Sequence, residues 1–141
     1  IPPLCLERLN RPEPRLVLGQ QIRTLANACI DISDGLAADL NHILQSSDAA
    51  AQVHLSMLPI CRELAEIEDK DEVWQIALAT GDDYELCFTI AKDKKDELES
   101  NTKNSSDLIS CIGEITKGEG ISWLDENSDV LKLKLDPYQH F

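Results

Sequence analysis

Between Ala28 and Leu44 the apolar residues change their spacing, and this change constrains the fold more than any other feature of the chain. In "ACIDIS", Ile30 and Ile32 fall on one face of a short β-branched strand, with Asp31 and Ser33 on the other. From Gly35 onward, Leu36, Leu40, Ile43 and Leu44 instead mark one face of a helix that fades at "QSSDAA". The same alternation recurs along the chain. "PEPRLVLGQQIRTLAN" predicts a helix from about Pro14 to Ala26, and "AQVHLSM" a strand before Pro59. Helical patterns follow at 60–67 and 71–79. "GDDYELCFTI" is then a turn feeding a strand with Tyr84, Leu86, Phe88 and Ile90 on one face. A charged helix at 93–100 precedes "LISCIGEIT", "GISWL" and "VLKLKLD", the last two expected to form a hairpin around "DENSD". Helices alternating with strands, followed by a strand-rich end, predict an α+β fold. Its mixed sheet is packed by helices, unlike a pure bundle or sandwich.

With 141 residues and 43% hydrophobic content, the chain is long enough for one domain with its own core. No apolar run approaches the roughly 18 residues of a membrane span, and the first residues, "IPPLCLERLN", lack a methionine, as in a piece of a longer protein. The 26 acids against 13 bases give a net charge of −13, which repels phosphate backbones and argues against a nucleic-acid partner. Cys5, Cys29, Cys61, Cys87 and Cys111 are odd in number, widely spaced and without a C-x-x-C. That pattern fits neither zinc ligation nor a disulfide framework, so reduced cysteines and a cytoplasmic setting are expected, with "ELCFTI" and "ISCIGEI" placing theirs in the core.

The strand-to-helix junction carries the first chemical signal. Asp31 and Ser33 share the face opposite the buried one, and Asp34 is expected in the first helical turn, where free N–H groups favour anions. Gly35 admits a ligand or another backbone closely. Asp31 and Asp34 can share a divalent cation while Ser33 donates to a phosphate oxygen; hard oxygen ligands in small number suit Mg²⁺. A helix cap by Ser33 or Asp34 would account for one of these residues without a ligand, but not for Asp31 inside an apolar strand. Asp39, three residues before His42, reads as a solvated-face pair. The second signal, Gly81-Asp82-Asp83, is by itself an ordinary acidic turn. There is no G-x-S-x-G elbow, Walker A loop or G-x-G-x-x-G, and the three histidines have no triad or metal spacing. Trp74 and Trp123 read as packing residues.

Taken in order, "RLNRPEPRLVLGQQIRTLANACIDISDGLAADLNHIL", Leu58-Pro59, "TGDDYELCFT", "CIGEIT" and the closing "DPYQHF" resemble the C-terminal domain of the bacterial thiamine-monophosphate kinase family. This family lies within the aminoimidazole-ribonucleotide-synthetase-like superfamily. The match runs nearly the whole chain, and the pair "IDISDGL…GDDYEL" makes it specific. The resemblance implies that residues 1–141 are a single C-terminal domain with a mixed, largely antiparallel sheet. The N-terminal ATP- and metal-binding domain of the two-domain kinase would be absent from this chain. It implies transfer of the γ-phosphoryl group of ATP to thiamine monophosphate, giving thiamine diphosphate and ADP, by a protein that dimerises with itself. By the same resemblance Asp31 and Asp34 are Mg²⁺ ligands, Ser33 contacts ATP, and Asp82 and Tyr138 contact the thiamine phosphate substrate; no catalytic acid or base is assigned.

Two positions depart from the family pattern, G-G-E-D-Y-E: Thr80 replaces a glycine, and Asp82 is a methylene shorter than glutamate. Because phosphoryl transfer depends on positioning and electrostatic stabilisation, half a ligand shell predicts an inactive isolated chain. Two other classes compete. One is an aspartyl-nucleophile phosphatase, disfavoured because the spacing is D-x-x-D-G and Leu36 stands where threonine is usual. The other is a metal- or nucleotide-binding module without chemistry.

Overall fold

The computed structural model describes residues 7, 10–104 and 108–137. Their helices and strands form the expected α+β architecture. In chain order these are α1 (Leu16–Ile22), β1 (Ala26–Asp31), α2 (Leu36–Ser47), β2 (Ala50–His54), α3 (Arg62–Ala65), α4 (Lys70–Ala79), β3 (Leu86–Ile90), α5 (Lys95–Thr102), β4 (Gly113–Thr116), β5 (Gly120–Leu124) and β6 (Val130–Leu131). Single 3₁₀ turns at Leu55–Met57 and Lys92–Lys94 follow β2 and precede α5.

The strands make two sheets. β1 pairs antiparallel with β3, while the other four lie in the order β4-β2-β5-β6, with only the central β2–β5 pair parallel. Helix α2 lies against both sheets and joins them. Its apolar face (Leu36, Leu40, Ile43, Leu44) packs with Val53, Leu78, Cys87 and Trp123 into the main core. A second, smaller core of Leu18, Ile22, Leu25 and Leu98 joins α1 and α5 across the other face of the β1–β3 ribbon, against Leu86, Phe88 and Ile90. At the sheet's outer pair a close approach fixes the residue type: a Cβ at Gly113 would overlap the Gln52 carbonyl.

Local chemistry explains most boundaries. Asp69 caps α4 by accepting from the N–H groups of Asp71 and Glu72. α2 ends where Asp48 turns left-handed (φ 51°) and its N–H reaches the Leu44 carbonyl. Two expectations need correction. The first helix stops at Ile22 rather than Ala26, because Leu25 turns back to the Ile22 carbonyl and Ala26 is already paired with Ile90; the ladder overrides helical spacing. The hairpin around "DENSD" is present, closed by Asp125 and Asp129, but β6 is only two residues long. Beyond it Leu133 and Leu135 do face the main core. There the backbone is held by a side chain, since the Gln75 amide both donates to the Asp136 carbonyl and accepts from its N–H, at 2.9 Å each. Trp123 is buried and Trp74 packs on the core, as read. Of the described cysteines only Cys87 is buried; Cys29, Cys61 and Cys111 are exposed, against the expectation for Cys111, and Cys5 lies outside the described residues.

Candidate functional site

The strand-to-helix junction is built around an acid that the sequence reading misplaced. Asp39 is no solvated-face residue: it is 3% exposed. One carboxylate oxygen, Oδ2, accepts from the backbone N–H of Ser33 (2.9 Å) and of Asp34 (3.0 Å). Those N–H groups precede the helix and would otherwise need a ligand or water. The expected anion-binding role of these N–H groups is therefore filled from inside the protein. Asp34 also lies just outside α2 rather than in its first turn, with Gly35 at the N-cap position. An acid one turn into a helix was the available signal; its pairing with two residues before the cap was not readable from spacing.

Gly35 has a structural duty at this junction. Its φ is 98°, and an added Cβ would stand 2.9 Å from the Leu78 carbonyl oxygen and 3.0 Å from the Ala79 Cα. The backbone that approaches closely is thus the end of α4. This contact locks the start of α2 against the segment that leads into Thr80–Glu85.

The second acidic segment belongs to the same site. Past the last regular pair, Asp31 with Leu86, the β1–β3 ladder continues irregularly. Ile32 N–H donates to the Glu85 carbonyl (2.8 Å), Tyr84 N–H to the Ile32 carbonyl (2.8 Å), and Asp82 N–H to the Ser33 carbonyl (2.9 Å). Two residues, Tyr84 and Glu85, therefore oppose Ile32, and Tyr84 is left-handed (φ 52°). This is a bulge of the kind that ordinarily places glycine at its first position. Asp82 is left-handed too (φ 67°). Thr80, by contrast, adopts an ordinary extended conformation (φ −92°), so its replacement of a glycine imposes no backbone penalty. Tyr84, expected on the strand face with Leu86, lies before the strand, because the bulge turns it out of register.

The side chains follow from this backbone. Asp31 ends β1 on its exposed face. The Ser33 hydroxyl donates to Asp34 Oδ1 at 3.1 Å, and the Tyr84 hydroxyl to Asp82 Oδ1 at 2.9 Å. That bond and the Asp82 charge raise the Tyr84 phenol above its ordinary value, with a smaller contribution from Asp31. Glu85 is gripped by both sides of the Arg15 guanidinium, Nε to Oε2 at 2.9 Å and Nη2 to Oε1 at 2.8 Å, which ties the start of α1 to the same segment. Tyr138 lies outside the described residues. Among the described residues no group of three or more His, Cys, Asp or Glu side chains is placed to hold a metal ion. The carboxylates at the junction match magnesium in kind but supply only part of a shell. No helix among the described residues is long and apolar enough to cross a membrane.

Comparisons with known proteins agree on one relationship. Residues 6–125 match the family model described as AIR synthase related protein, C-terminal domain. A thiamine-monophosphate kinase of Haemophilus influenzae is 44% identical over 111 residues, which is 79% of this chain and 34% of that protein. Among solved structures, thiamine-monophosphate kinase from Stenotrophomonas maltophilia superposes with a TM-score of 0.77 at 41% identity, covering 89% of this chain and 39% of that one. AaThiL complexed with AMPPCP and TMP superposes at 0.72 with 30% identity, covering 98% and 41%. This chain therefore spans well under half the length of the relatives it matches.

Proposed function

We propose a function on one premise: the chain belongs to the AIR synthase related protein, C-terminal domain family. On this reading it is the C-terminal domain of a thiamine-monophosphate kinase, a two-domain protein of the cytoplasm. An N-terminal domain outside this chain would complete the nucleotide and metal sites, and the whole protein would act as a homodimer. The reaction is transfer of the γ-phosphoryl group of ATP to thiamine monophosphate. The observation that carries the reading is the joining of the two acidic segments, with Asp82 N–H on the Ser33 carbonyl and Tyr84 N–H on the Ile32 carbonyl. Residues that would meet the metal and nucleotide (Asp31, Ser33, Asp34) and the residue that would meet the acceptor (Asp82) are thereby one backbone unit. The complex of AaThiL with AMPPCP and TMP supports the choice of ATP and thiamine monophosphate as substrates.

In this assignment Asp31 and Asp34 hold Mg²⁺ jointly with acids of the missing domain. When bound, the ion would neutralise the phosphate oxygens between which the group moves. Ser33 would orient the nucleotide; its hydroxyl now bonds to Asp34, so it can receive a donor or turn to a phosphate oxygen. Asp82 would accept from a donor on the thiamine ring system, and Tyr138 would offer an aromatic face.

The test is ³¹P NMR of the full-length parent with ATP, Mg²⁺ and thiamine monophosphate, beside an Asp34→Ala variant. Growth of a diphosphate signal in the parent and its loss in the variant is the expected result. ATP left intact by the parent would refute the kinase reading and favour a binding module; release of inorganic phosphate from a generic aryl phosphate would favour the phosphatase.

A further inference from the structure

Nothing in the assignment above uses Tyr84, yet it stands in the most demanding backbone position of the site. We propose that Tyr84 is the positioning residue for the acceptor substrate, holding the Asp82 carboxylate in the orientation that receives thiamine monophosphate. This rests on the kinase reading and adds a residue to it.

A side chain at φ 52° is unfavourable, and the first position of this bulge is one where glycine would serve the ladder without strain. The Tyr84 N–H bond to Ile32 and the neighbouring Ile32 N–H bond to Glu85 need only a backbone. The ring is 39% exposed and belongs to neither core, so packing does not demand a tyrosine. What a tyrosine alone supplies is the hydroxyl, and that hydroxyl donates to Asp82 Oδ1 at 2.9 Å across two residues. Asp82 is itself left-handed, anchored by its N–H to Ser33. With the backbone fixed there, the hydrogen bond from the phenol restrains the χ rotation of a short carboxylate. The bulge thus aims one side chain at another.

The experiment is steady-state kinetics of the full-length parent, varying each substrate separately, for wild type, Tyr84→Phe, Asp82→Ala and the double variant, with thermal unfolding of each. Tyr84→Phe is expected to raise KM for thiamine monophosphate about tenfold, the scale of one hydrogen bond to a charged group. KM for ATP, kcat and the unfolding midpoint should hold. In the double variant the Tyr84 substitution should add nothing to the loss caused by Asp82→Ala, since the tyrosine acts only through that carboxylate. An unchanged KM for thiamine monophosphate in Tyr84→Phe overturns the proposal. So do additive losses in the double variant, or a KM change accompanied by a lower midpoint. A wild-type parent that forms no thiamine diphosphate overturns the kinase reading itself, and this inference with it, and is recognisable because no variant is needed to see it.

Discussion

Asp39 shows how one residue can decide whether the site exists. Its carboxylate satisfies two N–H groups of the very residues proposed to meet nucleotide and metal, and it does so from a buried position on α2. Asp39→Ala should cost about 2–3 kcal/mol in denaturant unfolding, from two lost charge-assisted hydrogen bonds and two uncovered donors. Asp39→Asn, which keeps an acceptor, should lose less. If both variants unfold like wild type, the carboxylate is not holding the loop. A second residue-scale prediction concerns pH. Burial, helped by the nearby Cys29 and Asp39, pushes the Cys87 thiol up to about 11, whereas an unfolded cysteine ionises near about 8.5. The folded state therefore resists deprotonation, so this contribution to stability is complete below about pH 8.5. It drains away as pH rises towards 11, about 3 kcal/mol in all. The unfolding free energy measured from pH 8 to 11 should fall less steeply in Cys87→Ala; equal slopes would count against this assignment.

At the scale of elements, much was legible from spacing alone, because apolar period is set by local geometry. The face Leu36, Leu40, Ile43, Leu44 became α2, the alternation in "GISWL" became β5, and the acid-led 71–79 became α4 behind its Asp69 cap. What failed was governed by partners distant in sequence. Leu25 left the helix for a turn and Ala26 for a ladder with a strand more than sixty residues away, while beyond Leu131 the segment "KLKLD" keeps Leu133 and Leu135 on the core but is held at Asp136 by Gln75 instead of a ladder. The site divides in the same way. Asp31 and Asp34 stood out as charge in an unusual place, with Ser33 between them, and Asp82 stood out only through the family resemblance, whereas Asp39 and Tyr84 look ordinary until the fold supplies their partners. The Gln75 clamp carries its own prediction. Its amide is the hydrogen-bonding partner of Asp136, two residues before Tyr138, so Gln75→Ala should release the segment from 132 onward. Amide exchange at 133–136 should accelerate at least tenfold, each lost bond being worth about 1 kcal/mol, with α4 and β5 protected as before. Unchanged exchange would mean that Leu133 and Leu135 hold the segment without it.

For the whole molecule the decisive quantity is charge. At −13 the chain repels itself, and any cation will stabilise it by screening. A rise in unfolding temperature with MgCl₂ is therefore no evidence of a magnesium site unless NaCl at equal ionic strength does less. The described residues bring no three ligands together, so Asp31 and Asp34 in the isolated chain should bind the ion weakly. A site whose dissociation constant equals the added concentration stabilises by only about 0.4 kcal/mol. At millimolar concentrations the two salts should then raise the midpoint of the isolated chain almost equally, and Asp34→Ala should not change the difference. If, as proposed, acids of an N-terminal domain and the phosphates of ATP complete the shell in the full-length parent, Mg²⁺ with nucleotide should there exceed the matched NaCl control, and Asp34→Ala should abolish that excess. A strong magnesium-specific shift in the isolated chain would show that it holds a complete site by itself. The metal would then belong to this domain, and the N-terminal half would be left with the nucleotide alone.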